Sequence, residues 1–265
     1  MIRVLAIILL FMGVQAQAET IRVAVTTSFH NSGLSDVLLP QIKADTGLDV
    51  QLLVVGTGQA IRLGEAGDVD AILVHSRKAE IAFVANGFGT HRREIMYNDF
   101  VFIGPSNDPA KLAVATTSSD ALQGIFDTKS VFVSRGDDSG THKKELSLWA
   151  SAKLPTNGFG TWYRSVGAGM GASLNTASAM DAYILADRAS WLNFGNKGEL
   201  RLLFEGDPGL INQYAYLPVD PARHAHVNAN GALRLEQWLV SKQARSLIAG
   251  YRINGEPLFV FNAVP

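Results

Sequence analysis

Short runs of consecutive apolar residues recur along this chain, each ending in a small polar turn and followed at once by a helical pattern. LDVQLLVVG (48–56) leads into TGQAIRLGEAG (57–67), and DVDAILVH (68–75) leads into SRKAEIAFVANG (76–87). Further on, VFVSRG (131–136) leads into a helix after Thr141. A strand that is apolar on both faces must be covered on both faces. Alternation of such strands with helices therefore gives a mostly parallel sheet between helical layers.

The remaining segments fit this frame. TIRVAVTTS (20–28) is a β-branched strand ending in hydroxyls. GLSDVLLPQIKADTG (33–47) puts Leu34, Val37, Leu38 and Ile42 on one helical face, with Gly47 as its C-cap and Pro40 as a kink or break. In IMYNDFVFIGPSNDPAKLAVA (95–115) a strand runs into a Gly-Pro break, and a second α/β set follows. That set comprises VFVSRG, the helix after Thr141, the strand GTWYRSVG, a helix over NTASAMDAYILADRASWL, and the strand LRLLFEGD. LINQYAYLPVDP (210–221) is extended, and GALRLEQWLVSKQARSLIAGY (231–251) reads as one closing helix packed by Leu233, Leu235, Trp238, Leu239 and Ile248.

The chain thus leaves a first lobe, builds a second and returns. The expected division is residues 19–104 and 219–265 for lobe 1 and 105–218 for lobe 2, joined by a two-segment hinge. The cleft between two α/β lobes is where a ligand is expected.

Ahead of the first strand stands MIRVLAIILLFMGVQAQAET. It has a basic Arg3, an apolar core over Val4–Val14 and an Ala16-Gln17-Ala18 cleavage site, which together read as a signal peptide over residues 1–18. The apolar stretch is too short to span a bilayer. The expected product is exported, to the periplasm. Cysteine is absent, which excludes lipoprotein anchoring, disulfides, thiolate metal sites and Cys nucleophiles. A formal net charge of −1 and a pI near 6.6 exclude a nucleic-acid binder that works through a basic face.

The chemistry gathers in the strand-to-helix turns. These are Thr26-Thr27-Ser28, Gly56-Thr57-Gly58, His75-Ser76, Ser134-Arg135, Ser139-Gly140-Thr141 and Gly167-Ala168-Gly169-Met170-Gly171. In an open parallel sheet such turns lie at the carboxyl edge of the strands. Each offers free backbone N–H groups, and several add a hydroxyl. Any one of them reads more readily as ordinary capping than as a ligand site. Their recurrence is what points to a ligand. The glycine cluster is G-x-G-x-G and not the dinucleotide fingerprint.

The helix after Thr141 opens with His142, Lys143 and Lys144, although helix starts favour acidic residues. An anion at that helix start accounts for the inversion, with Arg135 as its full positive charge. Asp137 reads either as the partner of Arg135 or as a solvated turn residue. His75 reads either as a donor to the anion or as a turn histidine. Asp187-Arg188 reads as a helix-end ion pair. No metal-ligand spacing is present among the histidines, and a G-x-S-x-G elbow is absent, so neither a metal centre nor an α/β-hydrolase nucleophile is expected.

Six stretches together carry a resemblance: residues 26–60, GDVDAILVHS, MYNDFVFIGP, SRGDDSGTHKKE, GAGMGASL and AYILADR. They resemble the periplasmic tungstate-binding proteins of ABC importers, within the type II oxyanion-binding periplasmic proteins. The string from Arg135 to Thr141 also resembles the phosphate-binding members, so other oxyanions (molybdate, sulfate, phosphate) and an oxyanion-sensing module stay open. The resemblance implies a tetrahedral dianion held between two lobes, with delivery to an ABC permease and its ATPase. It implies no cofactor and no catalysis, and the chain is expected to act as a monomer. Carried onto this chain, the ligand-binding candidates are Thr27, Ser28, Thr57, Ser76, Arg135, Ser139, Gly140 and Thr141, with Met170 and Gly171 as backbone donors. Which of Thr26, Thr27 and Ser28 faces the ligand is left open by the alternation of side chains along a strand.

A protonation argument narrows the ligand. Phosphate keeps a proton at neutral pH and asks for a buried acceptor, whereas tungstate, molybdate and sulfate keep none. The turn at His75-Ser76 carries no acid, which favours a fully ionised anion.

Overall fold

The structure, a computed structural model, describes residues 19–264. The signal-peptide reading of residues 1–18 lies outside them. The first half of the chain forms β1 (Glu19–Thr26), α1 (Thr27–Asn31), α2 (Leu34–Thr46), β2 (Leu48–Val55), α3 (Thr57–Ala66), β3 (Ala71–Val74), α4 (Arg77–Ala85) and β4 (Arg93–Pro105). There follow α5 (Ser118–Thr128), β5 (Phe132–Ser134), α6 (Gly140–Ser151), β6 (Tyr163–Ser165), α7 (Met170–Met180), β7 (Tyr183–Asp187), α8 (Arg188–Asn193) and β8 (Leu200–Phe204). The chain closes with β9 (Ile211–Pro218), α9 (Ala229–Leu239), α10 (Lys242–Gly250), β10 (Arg252–Ile253), β11 (Glu256–Pro257) and β12 (Val260–Phe261).

The large sheet runs β2-β1-β3-β9-β4-β7-β5-β6, with β8 and β12 also paired to β4. The pairs β1–β2, β1–β3, β5–β6 and β5–β7 are parallel, and the pairs made by β9 and β4 are antiparallel. β4 belongs to both halves. Its residues Arg93–Asp99 pair with β9, and Phe100–Ile103 pair with β7. The strands therefore change partners between Asp99 and Phe100, ahead of the Gly104–Pro105 break where the sequence placed the crossing. β9, which ends at Pro218, pairs along its length with β3 and with the first part of β4.

Side-chain parity along the strands builds a core on each face of each half. In β1, Val23 and Val25 join one cluster and Ala24 the opposite one. In β3, Ala71 and Leu73 alternate in the same way with Ile72 and Val74. In β4 and β7, Phe100, Phe102, Tyr183 and Leu185 face one cluster of the second half, and Val101, Ile103, Ile184 and Ala186 face the other. Each fully buried large apolar side chain contributes about 1.5–3 kcal/mol. α8 bridges the halves, with Ala189 in the α2/α9 core and Trp191 in the α7 core.

Three local expectations are corrected. The segment 175–192 is not one helix: α7 stops at Met180, Asp181 turns at φ 47°, and Tyr183–Asp187 is a strand buried on both faces. The closing helix is two, divided where Ser241 caps α10 by accepting from the Ala244 amide, and Leu233 is exposed rather than packed. Pro40 sits inside α2 without dividing it.

Candidate anion-binding site

The register brings the expected turns face to face. β3 runs alongside the first part of β4 and in its direction, through their common antiparallel neighbour β9. β7 runs against β4 and ends with Asp187 opposite Phe100. The carboxyl ends of the parallel strands of both halves therefore point toward the place where β4 changes partners. The turns after β1, β2 and β3 form one wall, and those after β5, β6 and β7 the other.

On the first wall, Thr26 is buried and its hydroxyl caps α1 by accepting from the Phe29 amide at 3.3 Å. Thr27 is exposed. Ser28 lies between them in role: its Oγ is 3.1 Å from Thr26 Oγ1, 3.1 Å from His75 Nε2 and 3.3 Å from the Tyr214 hydroxyl. Burial, helped by the nearby Lys144 charge, pushes the His75 imidazole down to about 4, so it is neutral at neutral pH. Thr57 is buried at the start of α3, which has no side-chain cap. The Ser76 amide donates to the Glu80 carboxylate, which is itself fully buried and paired with Arg92 at 2.6 Å. That pairing fixes the turn and leaves the Ser76 hydroxyl unused by it.

On the second wall, Arg135 follows β5 with a side chain 14% exposed. Its guanidinium donates to Asp137 and reaches Thr141 Oγ1 at 3.5 Å. Its Nε is a buried donor without an acceptor among the described residues. Asp137 Oδ1 also accepts the Ser139 amide at 3.2 Å. Burial works against the Asp137 carboxylate, but the Ser139 amide and Arg135 outweigh it and hold its pKa below the usual value. Asp137 is thus an ionised clamp on Arg135, which decides between its two sequence readings. Ser139 caps α6 by accepting the His142 amide at 3.2 Å. The next two amides, of Gly140 and Thr141, have no acceptor among the described residues.

The loop before α7 is tied to the same wall, because the Ala168 amide donates to the Arg135 carbonyl at 3.1 Å. Gly136 has φ 61°, and a Cβ there would lie 1.9 Å from Ser165 Oγ, so only glycine lets these two turns pack together.

Thr57, His75, Ser76 and Gly140 line one cavity of about 500 Å³, together with Arg77, Lys78, Lys143 and Lys144. Met170 and Gly171 are not part of it; they line a separate space of about 270 Å³ with Asn31 and Ser190. Asp187 and Arg188 do not pair with each other as expected. Asp187 is buried and caps α8 by accepting the Ser190 amide at 2.9 Å, whereas Arg188 holds Asp99 at 2.6 Å and also Glu205. Burial raises the Asp187 pKa, against the Ser190 bonds and the Arg135 charge.

Tyr214 was not singled out from the sequence. Its neighbours Asn212 and Gln213 are polar residues within an otherwise apolar strand, and that interruption was the available signal.

The Arg135 guanidinium with its spare buried N–H, the two free amides at the start of α6 and, beyond His75, the Ser28 hydroxyl are each groups that can donate to a fully ionised oxyanion. Ser28→Ala, which removes one hydroxyl donor and leaves the four apolar cores intact, is expected to weaken oxyanion binding about tenfold in calorimetry.

The sequence matches the PBP superfamily domain over residues 13–243. It is 45% identical over 253 residues to the tungstate-binding protein TupA of Peptoclostridium acidaminophilum, covering 94% of this chain and 87% of that protein. The chain belongs to the TupA family of this superfamily. Among solved structures, the tungstate-binding protein TupA of Desulfovibrio alaskensis G20 superposes with a TM-score of 0.87 at 41% identity, over 93% of this chain and all of that one (100%). The tungstate ABC transporter structure from Geobacter sulfurreducens gives a TM-score of 0.79 at 43% identity, over 88% of this chain and 99% of that one. These relatives bear the names of binding and transport proteins, not of enzymes.

Proposed function

We propose that this chain is a periplasmic solute-binding protein that captures tungstate between its lobes and delivers it to an ABC permease with its ATPase. The observation that carries this reading is the presence of donors on both walls, Arg135 and the start of α6 on one and Ser28 with neutral His75 on the other, brought together where His75 meets Gly140. The names of the relatives supply tungstate as the anion, and molybdate is the neighbouring candidate. Asp137 agrees with an anion without a proton, since each of its carboxylate oxygens is already engaged within the wall, one by Arg135 and the other by the Ser139 amide.

Ser28 and His75 stand at the distance of a nucleophile and its base. A base of pKa about 4 has little driving force to take a serine proton at neutral pH, so the geometry favours binding over hydrolysis. Export by way of residues 1–18 and action as a monomer in the periplasm are part of this reading; among the described residues no helix is long and apolar enough to cross a membrane.

The test is calorimetric titration of the chain from Glu19 onward with tungstate, molybdate, sulfate and phosphate in a phosphate-free buffer. Binding is expected to be tightest for tungstate, with phosphate near zero. Phosphate as the sole ligand would sink this reading, because it would require an acceptor where the site offers donors.

A further inference from the structure

We propose that His75 is the stop that ends lobe closure against Gly140, and that it thereby sets the width of the oxyanion space and selects against smaller tetrahedral anions. The inference rests on the oxyanion-binding reading above and makes His75 a specificity-determining residue within it.

His75 belongs to the first wall and Gly140 to the second, and they meet edge-on. A Cβ built on Gly140 would lie 2.7 Å from His75 Cε1, with Nδ1 and Nε2 farther off at 3.4 and 3.6 Å. The ring edge between its two nitrogens is therefore seated on the first residue of α6, where glycine alone leaves room.

Both sides are braced from behind. The imidazole is held by Ser28 at Nε2 and leans on Tyr214, with ring centroids 4.8 Å apart. Tyr214 is fully buried and backed by Phe29 and Phe259. Behind Gly140, α6 is anchored by Thr141, Leu148 and Trp149, all buried. Packed interiors resist compression and transmit displacement.

The placement also suits a stop. α8 joins the halves through the α2/α9 and α7 cores, while His75 and Gly140 meet between α4 and α6, which serve the other two cores. Rotation about β4, β9 and α8 therefore ends at this contact. The same ring touches Ser28 on one wall and the start of α6 on the other, so its thickness fixes how far apart those two sets of donors stand. Sulfate is a smaller tetrahedron than tungstate and reaches one wall at the expense of the other. Molybdate and tungstate are close in size, and the stop does not separate them.

The experiment is titration with tungstate, molybdate and sulfate of the unaltered chain, His75→Ala, Gly140→Ala and the double variant, each checked by thermal melting. His75→Ala is expected to weaken tungstate and strengthen sulfate, narrowing their ratio of Kd values about tenfold. Gly140→Ala enlarges the stop and is expected to weaken sulfate more than tungstate, moving the ratio the other way. The double variant is expected to move it back toward the unaltered value, with the tungstate-to-molybdate ratio constant throughout. A purely structural role for His75 would weaken every anion alike. An unmoved ratio in both single variants, with tungstate still bound by the unaltered chain, overturns the stop alone. Failure of the unaltered chain to bind any of the three anions overturns the functional reading itself, and the stop with it.

Discussion

Arg135→Ala is expected to reduce affinity for tungstate by about a hundredfold to a few thousandfold while leaving the fold in place. Arg135 is the one residue on the second wall that brings a full positive charge together with a buried, unclaimed N–H. Truncating one partner of a hydrogen-bonded charge pair desolvated on binding costs about 2–5 kcal/mol of affinity, and the upper part of that spans this range. The loss has two sources with the same sign. The dianion loses its counter-charge, and Asp137, no longer neutralised, is left to repel it. Arg135→Lys restores charge but not the planar fork that holds Asp137 and Thr141 at once, so it should recover only part of the affinity. Melting temperature should move little, because Arg135 belongs to none of the apolar clusters. Calorimetry of the two variants beside thermal melts decides the matter. An alanine variant within tenfold of the unaltered chain would show that the anion's charge is met elsewhere.

The site divides into what local sequence expresses and what only the assembled sheet creates. The turns were legible because each is written in a few adjacent residues: small, hydroxylic, after an apolar run and before a helix. Asp137 could be named as a partner for Arg135 for the same reason, being two residues away, although the sequence left it open against a solvated turn residue. Tyr214 could not be assigned to Ser28, which is 186 residues distant, since that contact exists only once β9 is laid beside β3. The contact of His75 with Gly140 is of this second kind and depends on two turns from different halves.

Fold errors have a similar origin. AYILAD carries no alternation, because both its faces are buried, so periodicity does not separate strand from helix there. The crossings were placed at prolines, which mark breaks in the chain. Strand partners, not chain breaks, decide which half a residue joins, and β4 passes from one half to the other without interrupting its hydrogen bonding.

Glu145→Gln is expected to stabilise the protein above neutral pH and to change little near pH 5. Glu145 lies on α6, one helical turn beyond Thr141, and is only 3% exposed. Its Oε1 accepts the Tyr163 hydroxyl at 2.6 Å. Ser134 and Trp149 stand close enough to favour the anion, but neither is aligned to bond it. Burial therefore prevails and pushes the carboxyl from 4.5 up to about 7. The folded chain then holds a proton that the unfolded chain has already released. Its stability is greatest below the unfolded pKa and falls as pH rises toward 7, levelling off above it. The full drop amounts to about 3 kcal/mol. Glutamine keeps an acceptor for Tyr163 and has nothing to ionise, so the variant should not share that drop. Urea midpoints at pH 5 and pH 8 read the difference directly, and a gap of equal size at both would mean that Glu145 is ionised throughout. The same burial has a consequence for the anion. Below about pH 7 the protonated Glu145 places no negative charge behind the α6 start, and as it ionises at higher pH it begins to offset the field that Arg135 and the free amides present to a dianion.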